Sequence, residues 1–295
     1  MDIIAQIERG ILICPQTRQR LYMSGDRQWL ATVDNTQRYR LLDGKTPILL
    51  ADPKWAGEYA SSSRRMNEAY SADGRAKRNS LFHRLRRRLT SDYRTESSKQ
   101  ALIGLFNGLS DDALCISVGG GPTRADPRLV NLNIAPFPNV DVVADAHQLP
   151  YAENSVDAIH SEAVFEHLHD PVKAAGEIYR VLKPGKRAYI CTPFLQAYHG
   201  YPHHYQNFTI SGHKHLFESA GLQIVEAGSC VGPVYTIVNL VSVFMNEYFP
   251  AWLRIPLRVS WDAFGVVIRP LDKVIGKKAN AYMLASTTYV IVQKP

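Results

Sequence analysis

Three consecutive glycines, Gly119, Gly120 and Gly121, directly follow an apolar run at 114–118 in this chain of 295 residues. Glycines between a strand and a loop let the backbone approach a ligand closely and direct N–H groups at it. A dinucleotide fingerprint would need glycine at 119, 121 and 124, but the last position is Arg124. The pattern therefore predicts a ligand-binding loop that is not an NAD site.

Polar side chains follow the next three apolar runs. Asn133 ends the second run, Asp145 follows the third, and Ser161 lies at the end of the fourth. The carboxyl ends of parallel strands form the edge at which α/β sheets bind ligands. The Asp145 carboxylate offers two acceptor oxygens, whereas Asn133 offers one carbonyl and one amide.

These residues belong to an ordered set of motifs. The set comprises GGG at 119–121, DAHQLP at 145–150, EH at 166–167, RVLKPG at 180–185 and TP at 192–193. In this order the motifs resemble class I methyltransferases that use S-adenosylmethionine, in particular the subgroup with DxxxLP, a following EH pair and RVLKPGG. The resemblance spans about residues 112–229. It implies S-adenosylmethionine as the cofactor.

The resemblance also implies roles for individual residues. Gly119 and Gly121 would line the methionine part of the cofactor, Asn133 would face the ribose, and Asp145 with Ala146 would meet the adenine. The candidate cofactor-binding residues are therefore Gly119, Gly120, Gly121, Asn133, Asp145, Ala146 and Ser161.

Three features depart from the family pattern. Ser117 stands where the family usually has an acid, and Thr123 stands at the third glycine. Only residues 122–129 separate the glycines from the second strand, fewer than the dozen or so that a parallel crossover with a helix needs. Either that helix is reduced to one turn or the pocket is more open than usual.

The elements that position these residues predict an α/β fold. Apolar runs of strand length at 114–118, 130–134, 140–144, 156–160 and 187–192 indicate strands buried on both faces. Asp170 and Pro171 open a helix that Lys183-Pro184-Gly185 stops, and Thr209 precedes another before strands at 222–227 and 286–292. We expect a Rossmann-like, mostly parallel seven-stranded sheet with helices on both faces, preceded by a small β module.

Three regions follow from this pattern: a β module at 1–52, a basic linker with helical segments at 53–98, and a methyltransferase domain at 99–295 with an aromatic insertion at 230–281. The net charge of +7 is concentrated in the linker, where residues 64–94 hold ten Lys or Arg against three acids. A stripe of Leu81, Phe82, Leu85 and Leu89 among Arg84–Arg88 forms a basic amphipathic pattern. It fits either a solvated helix or one that meets phosphate or an anionic membrane.

The β module has its own resemblance. Its opening ILICP and closing RYRLLDGKTPILL are similar to the zinc-ribbon domains that accompany and activate methyltransferases. Its strands are expected at 11–14, 29–33, 39–42 and 47–50. Cys14 has no second cysteine near it, and one thiol cannot complete a tetrahedral zinc site. We therefore expect a metal-free docking or scaffolding module.

Histidines supply the candidate bases. His167 follows the fourth strand, while His203 and His204 lie in a histidine-rich loop after the fifth. Methyl displacement needs no nucleophilic residue, but a base can remove the acceptor's proton. The histidine spacing matches no compact metal motif, so we expect no metal; the loop either lines the substrate site or is structural. Glu166 and His167 fit a structural role equally well.

The remaining signals concern location. The four cysteines are widely separated and form no CxxC pair, and the N-terminus lacks a signal-peptide pattern, so we expect a cytoplasmic protein. The uncharged stretch at 227–246 reaches spanning length, yet its glycines, Pro233 and Asn239 favour a buried or interfacial helix that could contact a membrane peripherally. The aromatic insertion would form a substrate lid or an apolar acceptor pocket, or simply pack as helices.

The sequence thus predicts an enzyme, an S-adenosylmethionine-dependent methyltransferase acting on a small-molecule, sugar or lipid-linked acceptor by direct displacement. The alternative is a non-catalytic partner with the same fold and a degenerate cofactor site, suggested by Ser117, Asn133 and Thr123. The basic stretch carries no interleaved aromatic platform, so direct nucleic-acid binding is not expected. The acceptor and the oligomeric state stay open.

Overall fold

The computed structural model describes residues 2–51, 94–121, 124–200 and 203–295. The first range forms a small α+β module. Its elements are α1 (Ile3–Glu8), β1 (Leu21–Met23), β2 (Trp29–Thr32), β3 (Arg38–Leu42) and β4 (Thr46–Leu49). The predicted basic stripe around Arg84–Arg88, and most of the predicted linker, lie outside the described residues.

The rest of the described chain alternates strands and helices. Its elements are α2 (Glu96–Phe106), β5 (Cys115–Val118), β6 (Leu129–Asn133), β7 (Val142–Ala144), β8 (Val156–Glu162), α3 (Pro171–Val181), β9 (Leu182–Pro193), α4 (Ile210–Ser219), β10 (Gln223–Val231), α5 (Pro233–Tyr248), α6 (Ala251–Ile268), α7 (Asp272–Ile275) and β11 (Thr287–Gln293). Short 3₁₀ turns occupy Phe165–His167, Arg269–Leu271 and Ala281–Leu284.

One mixed sheet joins the two parts. The strand order is β1-β2-β3-β4-β7-β6-β5-β8-β9-β11-β10. The neighbours from β4 to β9 pair in parallel, and β11 is antiparallel to both β9 and β10. The seven expected strands correspond to β5–β11, but they do not form a separate sheet: the described sheet has eleven strands, because β4 pairs with β7 through Ile48 and Val143 and adds the module to its edge.

The module and the sheet also share a core. Leu12 and Leu49 are fully buried in the same apolar cluster as Val142 of β7. The Arg18 guanidinium reaches across to the Leu149 carbonyl and to a Glu177 carboxylate oxygen, at 2.9 and 3.0 Å. The module therefore packs against the segment between β7 and β8 as well as extending the sheet.

Helices cover both faces of the sheet. On one face, α2 buries Ala101, Leu105 and Phe106 against residues of β5, β9 and β11. On the other, α3 and α4 bury a second group that includes Ile178 and Phe217. Both faces of the central strands are apolar because each is covered, as expected for a parallel sheet.

The helix starts agree with the sequence. The Asp170 carboxylate accepts from the Lys173 N–H at 3.0 Å, and the Thr209 hydroxyl accepts from the Gly212 N–H at 3.1 Å, so each caps its helix. The helix after Asp170 ends at Val181, but β9 begins at once and runs through 183–185, so these residues are strand rather than a stop.

The structure differs from the expectation at residues 11–14, which form only isolated bridges at Leu12 and Ile13 rather than a strand. Cys14 is buried, and its sulfur lies 3.2 Å from the Tyr39 hydroxyl. The zinc-ribbon resemblance of the module is not confirmed. Within the described residues, no helix combines the length and apolarity needed to cross a bilayer.

Candidate functional site

The glycine loop begins where β5 ends, and two of its positions accept only glycine. Gly119 has a φ of +76°, and a Cβ there would come within 2.1 Å of Val164 Cγ2. A Cβ at Gly120 would lie 2.6 Å from Asn131 Oδ1, whereas a Cβ at Gly121 would meet no atom of the described residues within 4 Å. The first two glycines therefore allow the backbone to pass between β6 and the loop after β8.

Two asparagines of β6 hold the loop by its carbonyl groups. The buried Asn131 amide donates to the Gly121 carbonyl at 3.0 Å, and the Asn133 amide donates to the Gly120 carbonyl at 3.1 Å. The Asn133 carbonyl in turn accepts from the Ala135 N–H at 3.3 Å. Both polar groups of Asn133 are thus engaged in local structure.

An ion pair takes the place of a crossover helix after the loop. No helix lies between 124 and 128 in the described chain, and Arg124 instead donates to both Asp141 oxygens, at 2.7 and 2.8 Å. Asp141 also accepts from the Asn131 N–H at 2.7 Å. This bidentate pair fixes the loop against the start of β7.

Asp145 follows β7, and His147 orients its carboxylate. Oδ1 accepts from the His147 N–H at 2.9 Å and from its ring Nδ1 at 2.6 Å. Burial alone would raise the pKa of Asp145, but the hydrogen bonds from His147 more than offset this effect and hold the pKa below its usual value. Asp145 is therefore an anion fixed at the ligand edge of the sheet.

The LP residues after Asp145 are held by α3. Glu177 accepts from the Leu149 N–H at 2.8 Å, and Arg180 donates to the Leu149 and Tyr151 carbonyls at 2.8 and 2.7 Å. These contacts connect the DxxxLP motif to the helix that leads into RVLKPG. In this chain the second motif thus supports the first.

Two cavities share Gly119 in their walls. The first lies beside β6 and β7, and its walls include Gly119, Asn133, Asp145, Ala146, His147 and His167. The second lies on the α2 side, and its walls include Arg94, Lys99, Ser117, Gly121, His160 and Glu162. An elongated ligand that crosses the glycine loop could occupy both.

The second cavity contains opposite charges. The Arg94 guanidinium forms a bidentate pair with Glu162, whose longer contact is 2.9 Å. Burial opposes ionisation of Glu162, but the nearby His160 ring and the hydrogen bonds from Arg94 lower its pKa to about 2. Ser117, where the family usually has an acid, instead contacts His160 Nδ1 at 3.1 Å.

The histidine loop lies over the end of β8. His167 Nδ1 lies 2.5 Å from the His203 carbonyl, and His204 Nδ1 accepts from the His199 N–H at 3.1 Å. The rings of His199 and His204 are 4.3 Å apart. His167 lines the first cavity, whereas His203 is exposed and contributes its carbonyl to the group.

The candidate residues therefore divide into two groups. Those brought to the cavities are Gly119, Gly120, Gly121, Asn133, Asp145, Ala146 and His167. Those outside both cavities are Ser161, which is fully buried within β8, and His203 and His204 of the histidine loop. The roles assigned to all of these residues stay predictions.

The sequence analysis did not identify several residues that line the second cavity or hold the glycine loop. Arg94 and Lys99 precede the glycine loop by some twenty residues, and Glu162 gave no motif of its own. Asn131 could have been found, because its side chain shares a strand face with Asn133 in the NLN pattern.

Part of this chain matches a family model and a sequence relative. Residues 124–190 match the family model of a methyltransferase domain. A Streptomyces fradiae protein described as an uncharacterized 37.1 kDa protein in transposon TN4556 is 39% identical over 58 residues, which are 19% of this chain and 17% of that protein.

Solved structures with similar folds include methyltransferases. One is a chain from the complex of the Haloferax volcanii Trm112 methyltransferase activator with a methyltransferase (18% identity, TM-score 0.47, covering 79% of this chain and 97% of that one). Another is the Burkholderia thailandensis 1,6-didemethyltoxoflavin-N1-methyltransferase (15% identity, TM-score 0.46, covering 89% and 97%).

The family match supports a class I methyltransferase domain with a Rossmann-like α/β fold. The cofactor of this class is S-adenosylmethionine, as the sequence predicted.

Proposed function

We propose that this chain transfers a methyl group from S-adenosylmethionine to a small-molecule, sugar or lipid-linked acceptor. The observation that carries the proposal is the pair of cavities that share Gly119 in their walls. Asp145 stands in one, where a carboxylate can accept from the adenine amine. The methionine end would cross Gly119 into the other.

The charges of the second cavity suit that end of the cofactor. The methionine part carries an ammonium and a carboxylate, and a site for both needs an anion and a cation. Glu162 and Arg94, which pair with each other, bring both charges to this cavity, and Lys99 lies in the same wall. Asn133 then acts as a positioning residue for the glycine loop, because its amide and carbonyl are both engaged.

Methyl transfer by direct displacement requires no covalent bond between the protein and the methyl group. When bound, S-adenosylmethionine supplies an electrophilic methyl group that the acceptor atom displaces in one step. The chain's task is to align the acceptor and to accept its proton. His167 lines the cofactor cavity, and its Nδ1–H is directed at the His203 carbonyl, so Nε2 is left with a lone pair.

Calorimetric titration with S-adenosylmethionine and S-adenosylhomocysteine tests the proposal. We expect saturable binding of both, weakened at least tenfold in Asp145→Ala. The matched control is Asp111→Ala, which removes an exposed carboxylate away from both cavities. Absence of binding to either nucleoside would contradict methyl transfer and favour the non-catalytic partner.

The C-terminal helices favour a lipid-linked acceptor. On α6, Trp252, Ile255, Val259 and Val267 recur at helical spacing and are all exposed, Trp252 by 76% and Val267 by 74%. Only Gly265 of this helix is buried. An exposed apolar stripe of this length marks an interaction surface.

The charges around the stripe favour an anionic lipid surface. Residues 251–279 contain six basic side chains and two acidic ones. Of the two acids, Asp262 pairs with Arg258, and Asp272 is buried and accepts from the Val234 and Tyr235 N–H groups. A basic helix with an apolar face is typical of interfacial membrane binding.

Vesicle cosedimentation tests this acceptor class. We expect the full chain to bind phosphatidylcholine vesicles that contain phosphatidylglycerol at low salt, and to bind neutral vesicles less. Trp252→Glu should weaken binding at least tenfold, whereas Val172→Glu, at an exposed apolar position on α3, should not. Absence of binding, or a dimer that the Trp252→Glu variant loses, would contradict lipid docking.

A further inference from the structure

A buried carboxylate beside the cofactor cavity has no hydrogen-bond partner. Glu166 is 0% exposed, and neither Oε1 nor Oε2 makes a hydrogen bond within the described residues. An isolated carboxylate in such surroundings is costly unless a positive charge compensates it. No Lys or Arg pairs with Glu166 in the described chain; its charged neighbours are two histidines.

Both of these histidines direct the same ring nitrogen at Glu166. His167 Nδ1 faces the His203 carbonyl at 2.5 Å, and His199 Nδ1 faces the Ala197 carbonyl at 3.0 Å. A carbonyl can only accept, so each Nδ1 carries a proton, and the neutral form of each ring then has its lone pair on Nε2. A backbone carbonyl on the remote nitrogen is the usual support of a metal-binding histidine.

The distances suit a shared ion better than direct hydrogen bonds. His167 Nε2 and His199 Nε2 each lie 3.7 Å from Glu166 Oε1, too far for hydrogen bonding. The three ligand atoms all lie within 4.8 Å of one another. An ion about 2.1 Å from both atoms of a 3.7 Å pair would subtend an angle of about 124°, near the tetrahedral value.

We infer that Glu166, His167 and His199 form a binding site for one divalent transition-metal ion, of which Zn²⁺ is the best fit. Two imidazoles and one carboxylate are a known catalytic zinc set, which leaves a coordination position open. His199 is 37% exposed, so the site can be reached from solvent. The ligands come from two loops, which explains why their spacing matched no metal motif.

The site adjoins the proposed methyl-transfer site, and its role there rests on the proposed function. His167 belongs to both the ion site and the wall of the cofactor cavity. An acceptor oxygen on the open position would be polarised next to that cavity. Under this inference, His167 binds the ion and does not act as the base.

Metal binding is measured on the full chain, without an affinity tag, after treatment with a chelator. We expect one equivalent of Zn²⁺ by elemental analysis, and visible absorption typical of four-coordinate Co²⁺ when Co²⁺ is added instead. Glu166→Gln and His199→Asn should each weaken Zn²⁺ binding at least a hundredfold. The matched control, His215→Asn at an exposed histidine of α4, should bind like the parent chain.

Two further readouts separate misfolding and failure of the proposed function from failure of the inference. Without metal, Glu166→Gln should unfold at the same or a higher temperature than the parent chain, because it removes a buried charge; only the parent chain should gain stability from Zn²⁺. S-adenosylmethionine titration of the same samples reports the cofactor site independently. Substoichiometric Zn²⁺ binding, or binding equal in Glu166→Gln, would overturn the ion site even if the nucleoside binds.

Discussion

Gly119→Ala should disrupt the proposed cofactor site more than its small size suggests. An L-residue at a φ of +76° pays about 1–2 kcal/mol in backbone strain. The new Cβ would also lie 2.1 Å from Val164 Cγ2, and relieving such an overlap in packed surroundings costs about 1–3 kcal/mol. The sum, about 2–5 kcal/mol, corresponds to a loss of roughly thirtyfold or more in any affinity that needs the parent loop conformation.

The matched control is two residues away. Gly121→Ala introduces the same methyl group at a position where φ is not positive and no atom of the described part of the chain lies within 4 Å of the new Cβ. Calorimetric titration with S-adenosylhomocysteine should therefore show a much smaller loss of affinity for Gly121→Ala, which lines the second cavity without the steric overlap, than the loss of at least thirtyfold for Gly119→Ala, with thermal unfolding measured alongside. Equal affinities for the two variants would refute the reasoning that the loop's close approach to Val164 shapes the site.

Two further perturbations test the framework. Burial lowers the pKa of His213 to about 3, so below pH 6.5 the unfolded chain binds a proton that the folded chain does not. The free energy of unfolding should therefore fall by about 1.4 kcal/mol for each unit that the pH is lowered. Urea titrations should show a smaller slope in His213→Gln, and an unchanged slope would contradict this reasoning. Asp141→Asn should weaken S-adenosylhomocysteine binding about tenfold, because it releases Arg124 from its ion pair. The control Asp126→Asn breaks only a local pair with Arg128 and should not weaken binding. Equal effects of the two variants would contradict a role for the Arg124 pair in holding the loop.

The sequence predicted the parts of the fold that local chemistry determines. The helix caps at Asp170 and Thr209, the apolar strands and the glycines at the end of β5 each carry a signal within a few residues. The eleven-strand count was missed because the pairing of Ile48 with Val143 joins segments almost a hundred residues apart, and no local pattern encodes that contact.

The parts of the candidate site that the sequence predicted also carry local signals. Asp145 and the glycines stand directly after strands, so their place at the ligand edge followed from strand order. Arg94 and Glu162 come together only through the packing of α2 against the sheet, and His199 meets Glu166 only through the folding of a long loop. Contacts of this kind depend on tertiary structure, which spacing in the sequence does not reveal.

The pairing of β4 with β7 has a consequence for any shortened version of this protein. Removing the first fifty residues would make β7 an edge strand, with unpaired backbone amides in the residues just before Asp145. We expect such a truncation to self-associate through that edge and to bind S-adenosylmethionine more weakly than the full chain. The N-terminal module thus protects an edge of the sheet, and its pairing with β7 keeps the strand that leads to Asp145 in place.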